Sequence, residues 1–185
     1  MRNFKSVLAG LIAGGAMVPM AGAAVAETNS SHINTISEQA VLDAQAAWGE
    51  GIVDISGHYL AGADYAARAA DHINTLYSYD AGPVMFKPTL ASEHQFRATF
   101  DDAMSYFIGQ DGTEDEGFAI KGWTNVRWDN HGIYTDQDSA MAMGNYYFTG
   151  PDGEETQVEY TFGYVLDDDG NLRINLHHSS LPFAG

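Results

Sequence analysis

The spacing of apolar residues changes once along this 185-residue chain, and that change limits the folds open to it. Val41, Ala44, Trp48, Ile52, Ile55 and Tyr59 recur at steps of three or four, which is the apolar stripe of one amphipathic helix. Thr35 stands three residues before Glu38 in capping-box spacing, so this helix is predicted over residues 35–60. An Ala-rich stretch predicts a second helix over 64–77. Asp80-Ala81-Gly82-Pro83 ends it, Lys87-Pro88 favours an extended connection, and Thr99 with Asp102 can cap a short helix through Tyr106 and Phe107. From Trp123 onward the period becomes two, with strands expected at 123–130, 140–148, 156–166 and 172–180. His131-Gly132, residues 150–153 and residues 167–171 read as the breaks between them. Helices followed by an antiparallel meander imply an α+β domain in which a curved sheet packs over the helices.

Residues 1–26 read as an export signal: Arg2 and Lys5 precede an apolar run over 7–20, and Ala24-Val25-Ala26 has the small-x-small pattern of a cleavage site. Gly10, Gly14, Gly15 and Pro19 interrupt a run shorter than the ~20 apolar residues of a spanning helix. The expected mature chain is one domain over residues 27–185, periplasmic or secreted, with no membrane insertion after the signal is removed. Two of the eight basic residues and none of the 25 acidic ones lie in the signal, so the remainder carries about −19 against −17 for the whole chain. Nucleic acid and anionic membranes, which need clustered Lys and Arg, are poor partners for such a surface. Cysteine is absent, which excludes disulfides, thiolate metal sites and cysteine nucleophiles.

Two acidic stretches invite a cation reading and fail it. A calcium loop ending at Gly170 would need an acidic residue at Val165 and a glutamate at Leu176, so residues 167–170 read as a hairpin turn. Residues 111–116 read as a solvated loop. His177 and His178 are adjacent on a strand and project to opposite faces, so they cannot easily grip one ion. His58, His72, His94 and His131 show no ligand spacing; no metal is expected, and zinc is the one to test. Alternation along the last strand places Leu172, Ile174, Leu176, His178 and Ser180 on one face and Arg173, Asn175, His177 and Ser179 on the other. The apolar members direct the first set to the core, which puts His178 and Ser180 at the mouth of the space between sheet and helices. Such groups need hydrogen-bond partners when buried, and a polar cluster closing the sheet accounts for them as well as a functional site does.

The run INLHHSSLP (residues 174–182), with AMGNYYF (142–148), VEYTFGY (158–164), FKPT (86–89) and SYF (105–107), resembles the iota-class carbonic anhydrases over nearly all of residues 27–185. That family is similar to the association domain of calcium/calmodulin-dependent protein kinase II, in the nuclear transport factor 2-like superfamily. The resemblance implies a cone-shaped α+β fold, a homodimer through the exposed sheet face, and reversible hydration of carbon dioxide to bicarbonate without a bound metal. It implies Thr89, Tyr106, His178 and Ser180 as the site, the histidine as base and the three hydroxyls as substrate-binding donors. His177 with Ser179 has the same spacing and would use the opposite face. Phe86, Phe107, Trp123, Trp128, Tyr146, Tyr160 and Phe162 are expected as walls or core. Two other readings are an isomerase or cyclase acting on a larger ligand, which calls for an apolar cavity of several hundred Å³, and a non-catalytic oligomerisation or ligand-binding module.

Overall fold

The computed structural model describes residues 36–185; the export signal and Thr35 lie outside the described residues. The chain runs α1 (Glu38–Leu60), α2 (Tyr65–Leu76), β1 (Met85–Lys87), α3 (Phe100–Ile108), a 3-10 turn (Phe118–Ile120), β2 (Asn125–Thr135), β3 (Ser139–Thr149), β4 (Glu155–Leu166) and β5 (Leu172–Ser180). The strands form one sheet in the order β1-β5-β4-β3-β2. This is the expected α+β arrangement, except that the sheet is mixed: β1 lies parallel to β5, and the other pairs are antiparallel.

Helix α1 begins at Glu38 and is capped by Ser37, whose hydroxyl accepts from the Ala40 backbone N–H at 3.1 Å. The predicted stripe is the buried face: Val41, Trp48, Ile52 and Ile55 are fully covered, while Tyr59 at the far end is exposed. Gly51 is buried against α2, and a side chain there would overlap the imidazole of His72. Asp64 caps α2 through the Ala67 N–H, and Thr99 with Asp102 forms the predicted capping box on α3.

His131-Gly132 is not a break between strands. His131 is the extra residue of a β-bulge inside β2, between the pairs Asn130–Gly144 and Gly132–Met143. Gly144 opposite it leaves room, since a Cβ there would collide with the Asp129 carbonyl oxygen. The hairpin turn falls later, at residues 136–138.

A second bulge decides the orientation of the most distinctive segment. Tyr164 pairs with Ile174 but Gly163 pairs with Leu176, so Asn175 is an extra residue in β5. Gly163 permits it: a Cβ there would sit 2.9 Å from the Leu176 Cβ and 3.0 Å from the Asn175 side-chain oxygen. One inserted residue reverses the alternation downstream. Ile174 is buried, and beyond the bulge His177 and Ser179 are buried while His178 is exposed.

The acidic loop 111–116 serves as a buckle. The Glu114 carboxylate accepts from the backbone N–H groups of Ser92, Glu93 and His94 at 2.8 to 3.0 Å, and these bonds hold its pKa down at about 2. Asp115 is buried against Arg97 (2.6 Å) and accepts from the Ser105 hydroxyl (2.5 Å). The stretch that follows Thr89 is thereby tied to α3, the helix that carries Tyr106.

Candidate active site

Between the sheet and the helices lies a cavity of about 210 Å³ with a mostly apolar lining. Phe86, Phe107, Phe118, Trp123, Tyr146 and Phe148 form much of its wall. The 3-10 turn is pinned over it by Ser56, which donates to the Ala119 carbonyl (2.7 Å) and accepts from the Trp123 N–H (3.0 Å).

Four polar side chains converge there. β5 supplies His177 and Ser179, which pair across the ladder with Phe162 and Tyr160 and so share their inward face. The segment after β1 supplies Thr89, whose Oγ1 donates to Ser179 Oγ at 2.9 Å. Proline at 88 keeps that segment extended, which lets a chain leaving the sheet edge reach across to β5. α3 supplies Tyr106, stacked on Phe118 with ring centres 5.6 Å apart. Burial holds the Tyr106 phenol well above the ordinary tyrosine range, so it remains a protonated donor.

The imidazole of His177, 3% exposed, stacks on Phe86 at 4.6 Å and meets the Phe162 ring edgewise at 4.1 Å. Its Nδ1 lies 2.9 Å from the Tyr77 hydroxyl and its Nε2 3.3 Å from the Tyr146 hydroxyl. Burial, reinforced by the neighbouring His178 and His72, holds its pKa well below 6.5, so the ring is neutral around pH 7. No carboxylate lines the cavity among the described residues, and the one charged lining side chain, Lys121, is drawn to Glu116 (3.4 Å).

Of the residues expected in the site, the fold brings Thr89 and Tyr106 together and turns His178 and Ser180 away. His178 borders an outer groove beside Met85, Phe96 and Leu176, and Ser180 donates to Glu159 at 2.9 Å on the solvent face. Their inward counterparts are His177 and Ser179, and the cause of the exchange is the bulge at Asn175. A glycine inside a strand run, Gly163, is the sequence signal that marks such a phase change. Among the expected walls, Trp128, Tyr160 and Phe162 pack behind the lining rather than in it. Among the described residues no three His, Asp or Glu side chains are grouped as they would need to be to hold a metal ion.

Known proteins share this sequence and fold. A relative from Nostoc sp. (strain PCC 7120 / SAG 25.82 / UTEX 2576), named metal-independent carbonic anhydrase, is 44% identical over 153 residues, 80% of this chain and 75% of its own length. The crystal structure of an iota-carbonic anhydrase from a cyanobacterium, complexed with bicarbonate, superposes with a TM-score of 0.79 at 42% identity, covering 82% of this chain and 95% of that one. A calcium/calmodulin-dependent protein kinase II association domain from Xanthomonas campestris is more distant, with a TM-score of 0.51 at 25% identity over 80% of this chain and 86% of its own. Its likeness accords with the nuclear transport factor 2-like architecture. The sequence profile of the metal-independent carbonic anhydrases matches residues 39–181, and with these relatives it shows that the chain belongs to that family.

Proposed function

We propose that the 210 Å³ cavity is where this chain interconverts carbon dioxide and bicarbonate, with Thr89, Tyr106 and Ser179 in direct contact with the reactants. The observation that carries this reading is the Thr89–Ser179 hydroxyl pair, 2.9 Å apart in an apolar cavity lined by neither a carboxylate nor a basic histidine. Its size supports a small substrate: at about 210 Å³ it lies below the roughly 300–1,000 Å³ of ordinary ligand pockets, which suits carbon dioxide and water better than the larger ligand of an isomerase or cyclase.

Aromatic walls accept the apolar, linear carbon dioxide, and the hydroxyls position one water against its carbon. A hydroxyl is both donor and acceptor, so it can take a proton while giving one. As the water oxygen bonds to carbon, one C=O electron pair moves to its oxygen. That oxygen receives the proton of a hydroxyl, which is restored by the proton lost from the water. The product is carbonic acid, which ionises on release to bicarbonate and a proton. The hydroxyl donors act on charge that develops only during the reaction, in a site that excludes most water, which is where hydrogen bonds accelerate chemistry most. A histidine base was expected from the sequence. The outward placement of His178 and the depressed pKa of His177 both argue against it.

Stopped-flow hydration of carbon dioxide by metal-stripped protein tests this reading. The expected result is catalysis above buffer, with no ionisation near pH 6.5 in the rate profile between pH 6 and 8. Activity that returned only with zinc would remove the metal-free mechanism, and a step near 6.5 would restore an imidazole base. Residues 1–26 support export to the periplasm or medium, and the exposed Tyr134, Met141 and Met143 support pairing of two copies through the sheet. Native mass spectrometry of the exported protein should show a dimer of chains beginning at Glu27. Chains that retain residue 1, or a monomer, would reject the corresponding proposal.

A further inference from the structure

A chain of buried hydrogen bonds runs along one wall of the cavity, through Trp48, His177 and Tyr146 of the lining and Tyr77 behind it. Trp48 Nε1 is 2.8 Å from the Tyr77 hydroxyl, which is 2.9 Å from His177 Nδ1; Nε2 of that ring is 3.3 Å from the Tyr146 hydroxyl. Trp48 and Tyr77 are each 1% exposed, so water cannot repair an unmet group among them. Donor counting then gives the chain a direction. An indole N–H can only donate, so the Tyr77 oxygen accepts from Trp48. The phenol has one proton, and His177 Nδ1 is the remaining partner within reach, so that proton goes to Nδ1. The reverse arrangement, with Nδ1–H donating to Tyr77, would leave the phenol proton buried with no acceptor. Nδ1 is therefore the bare nitrogen and Nε2 carries the hydrogen, which points at the Tyr146 oxygen.

We infer that Trp48 and Tyr77 are positioning residues that lock His177 as its Nε2–H tautomer, making it a donor toward the cavity side instead of a base. This rests on the reading of the cavity as the active site. Tyr77 does not line the cavity, so its effect on the reaction passes through the imidazole. With His177 donating, the Tyr146 oxygen is occupied as an acceptor. Ser179 accepts from Thr89 and is itself hydrogen-bonded to Tyr146, so of the Tyr146 and Ser179 protons one bridges the pair and the other is released toward the reactants. The cavity thus presents hydrogens, the pattern that suits the developing oxygens of carbonic acid. The direction originates in one indole N–H on α1.

The test is the side-chain 15N spectrum of His177 in the full-length protein at pH 7.5, assigned by its loss in His177→Gln. The expected result is the neutral Nε2–H pattern, one protonated and one bare nitrogen with the hydrogen on Nε2. In Tyr77→Phe the bare Nδ1 loses its donor. The spectrum should move toward a mixture of tautomers, and kcat should fall roughly 10- to 100-fold, as when an orienting partner of a histidine is lost, with KM changed far less. An Nδ1–H pattern in the unmodified protein would overturn the proposal, and so would Tyr77→Phe with an unaltered spectrum and full kcat. The unmodified protein decides the tautomer even where Tyr77→Phe fails to fold. A cavity without catalytic role would show in unchanged turnover of Ser179→Ala while leaving the tautomer as read, so the two failures are distinguishable.

Discussion

Ser179→Ala is expected to lower carbon dioxide hydration roughly 100- to 1,000-fold, the usual cost of losing one donor aimed at a developing oxyanion, whereas Ser180→Ala should leave it within about twofold. The two serines are neighbours in sequence and differ in one respect, the face of β5 on which they stand. Ser179 accepts from Thr89 inside the cavity, while Ser180 donates to Glu159 in solvent. Both substitutions remove a single oxygen, and neither leaves a large hole. Unfolding midpoints close to that of the unmodified protein would show that the difference lies in chemistry. If Ser180→Ala were the damaging change, the phase of β5 would be opposite to the one described and the bulge at Asn175 would be refuted.

Acid should destabilise the fold in a pH range where carboxylates are still ionised. His72 and His177 are buried and neutral, burial lowering His72 to about 3 and His177 well below 6.5. Below pH 6.5 the unfolded chain binds a proton on each and the folded chain does not. The unfolded state then holds more protons, and stability falls as pH falls. Each ring contributes at most about 1.4 kcal/mol per pH unit, so the loss between pH 7.5 and 5 reaches at most about 2 kcal/mol per histidine and about 4 kcal/mol for the pair. That is a large share of the ~5–15 kcal/mol by which ordinary domains are stable. Urea unfolding at pH 7.5, 6 and 5 would measure it. His72→Leu, which cannot titrate, should remove about half of the slope. A stability flat down to about pH 4.5, followed by collapse, would assign the effect to carboxylates such as Glu114, Asp54 and Asp167, whose pKa values are held low by hydrogen bonds.

How far the sequence could be read differs from feature to feature. The helical stripe from Val41 to Ile55, the box at Thr99 and Asp102, and three of the four expected strand runs appear close to where local rules put them, because caps and apolar periods are short-range properties. The break proposed at His131-Gly132 went astray because a bulge and a turn use the same residue types. The parallel strand β1 was legible only as an extended segment, since its pairing with β5 spans some 90 residues and leaves no local pattern.

The candidate site divides along the same line. Thr89 and Tyr106 were nameable from FKPT and SYF, and a histidine and a serine from HHSS, because the motifs supply chemistry at fixed spacing. Which histidine and which serine face inward was not, since strand alternation is a counting rule that one extra residue reverses. Asn175 is that residue, and Gly163, on the neighbouring strand, is what makes room for it. The sequence by itself determined the order of helices and strands, the acidic cysteine-free composition, and the set of side chains from which a metal-free site can be assembled. The tertiary structure decided which of them meet, how large a space they enclose, and the burial that leaves His177 a neutral imidazole among aromatic rings, because register, volume and desolvation come from contacts between segments far apart in the chain.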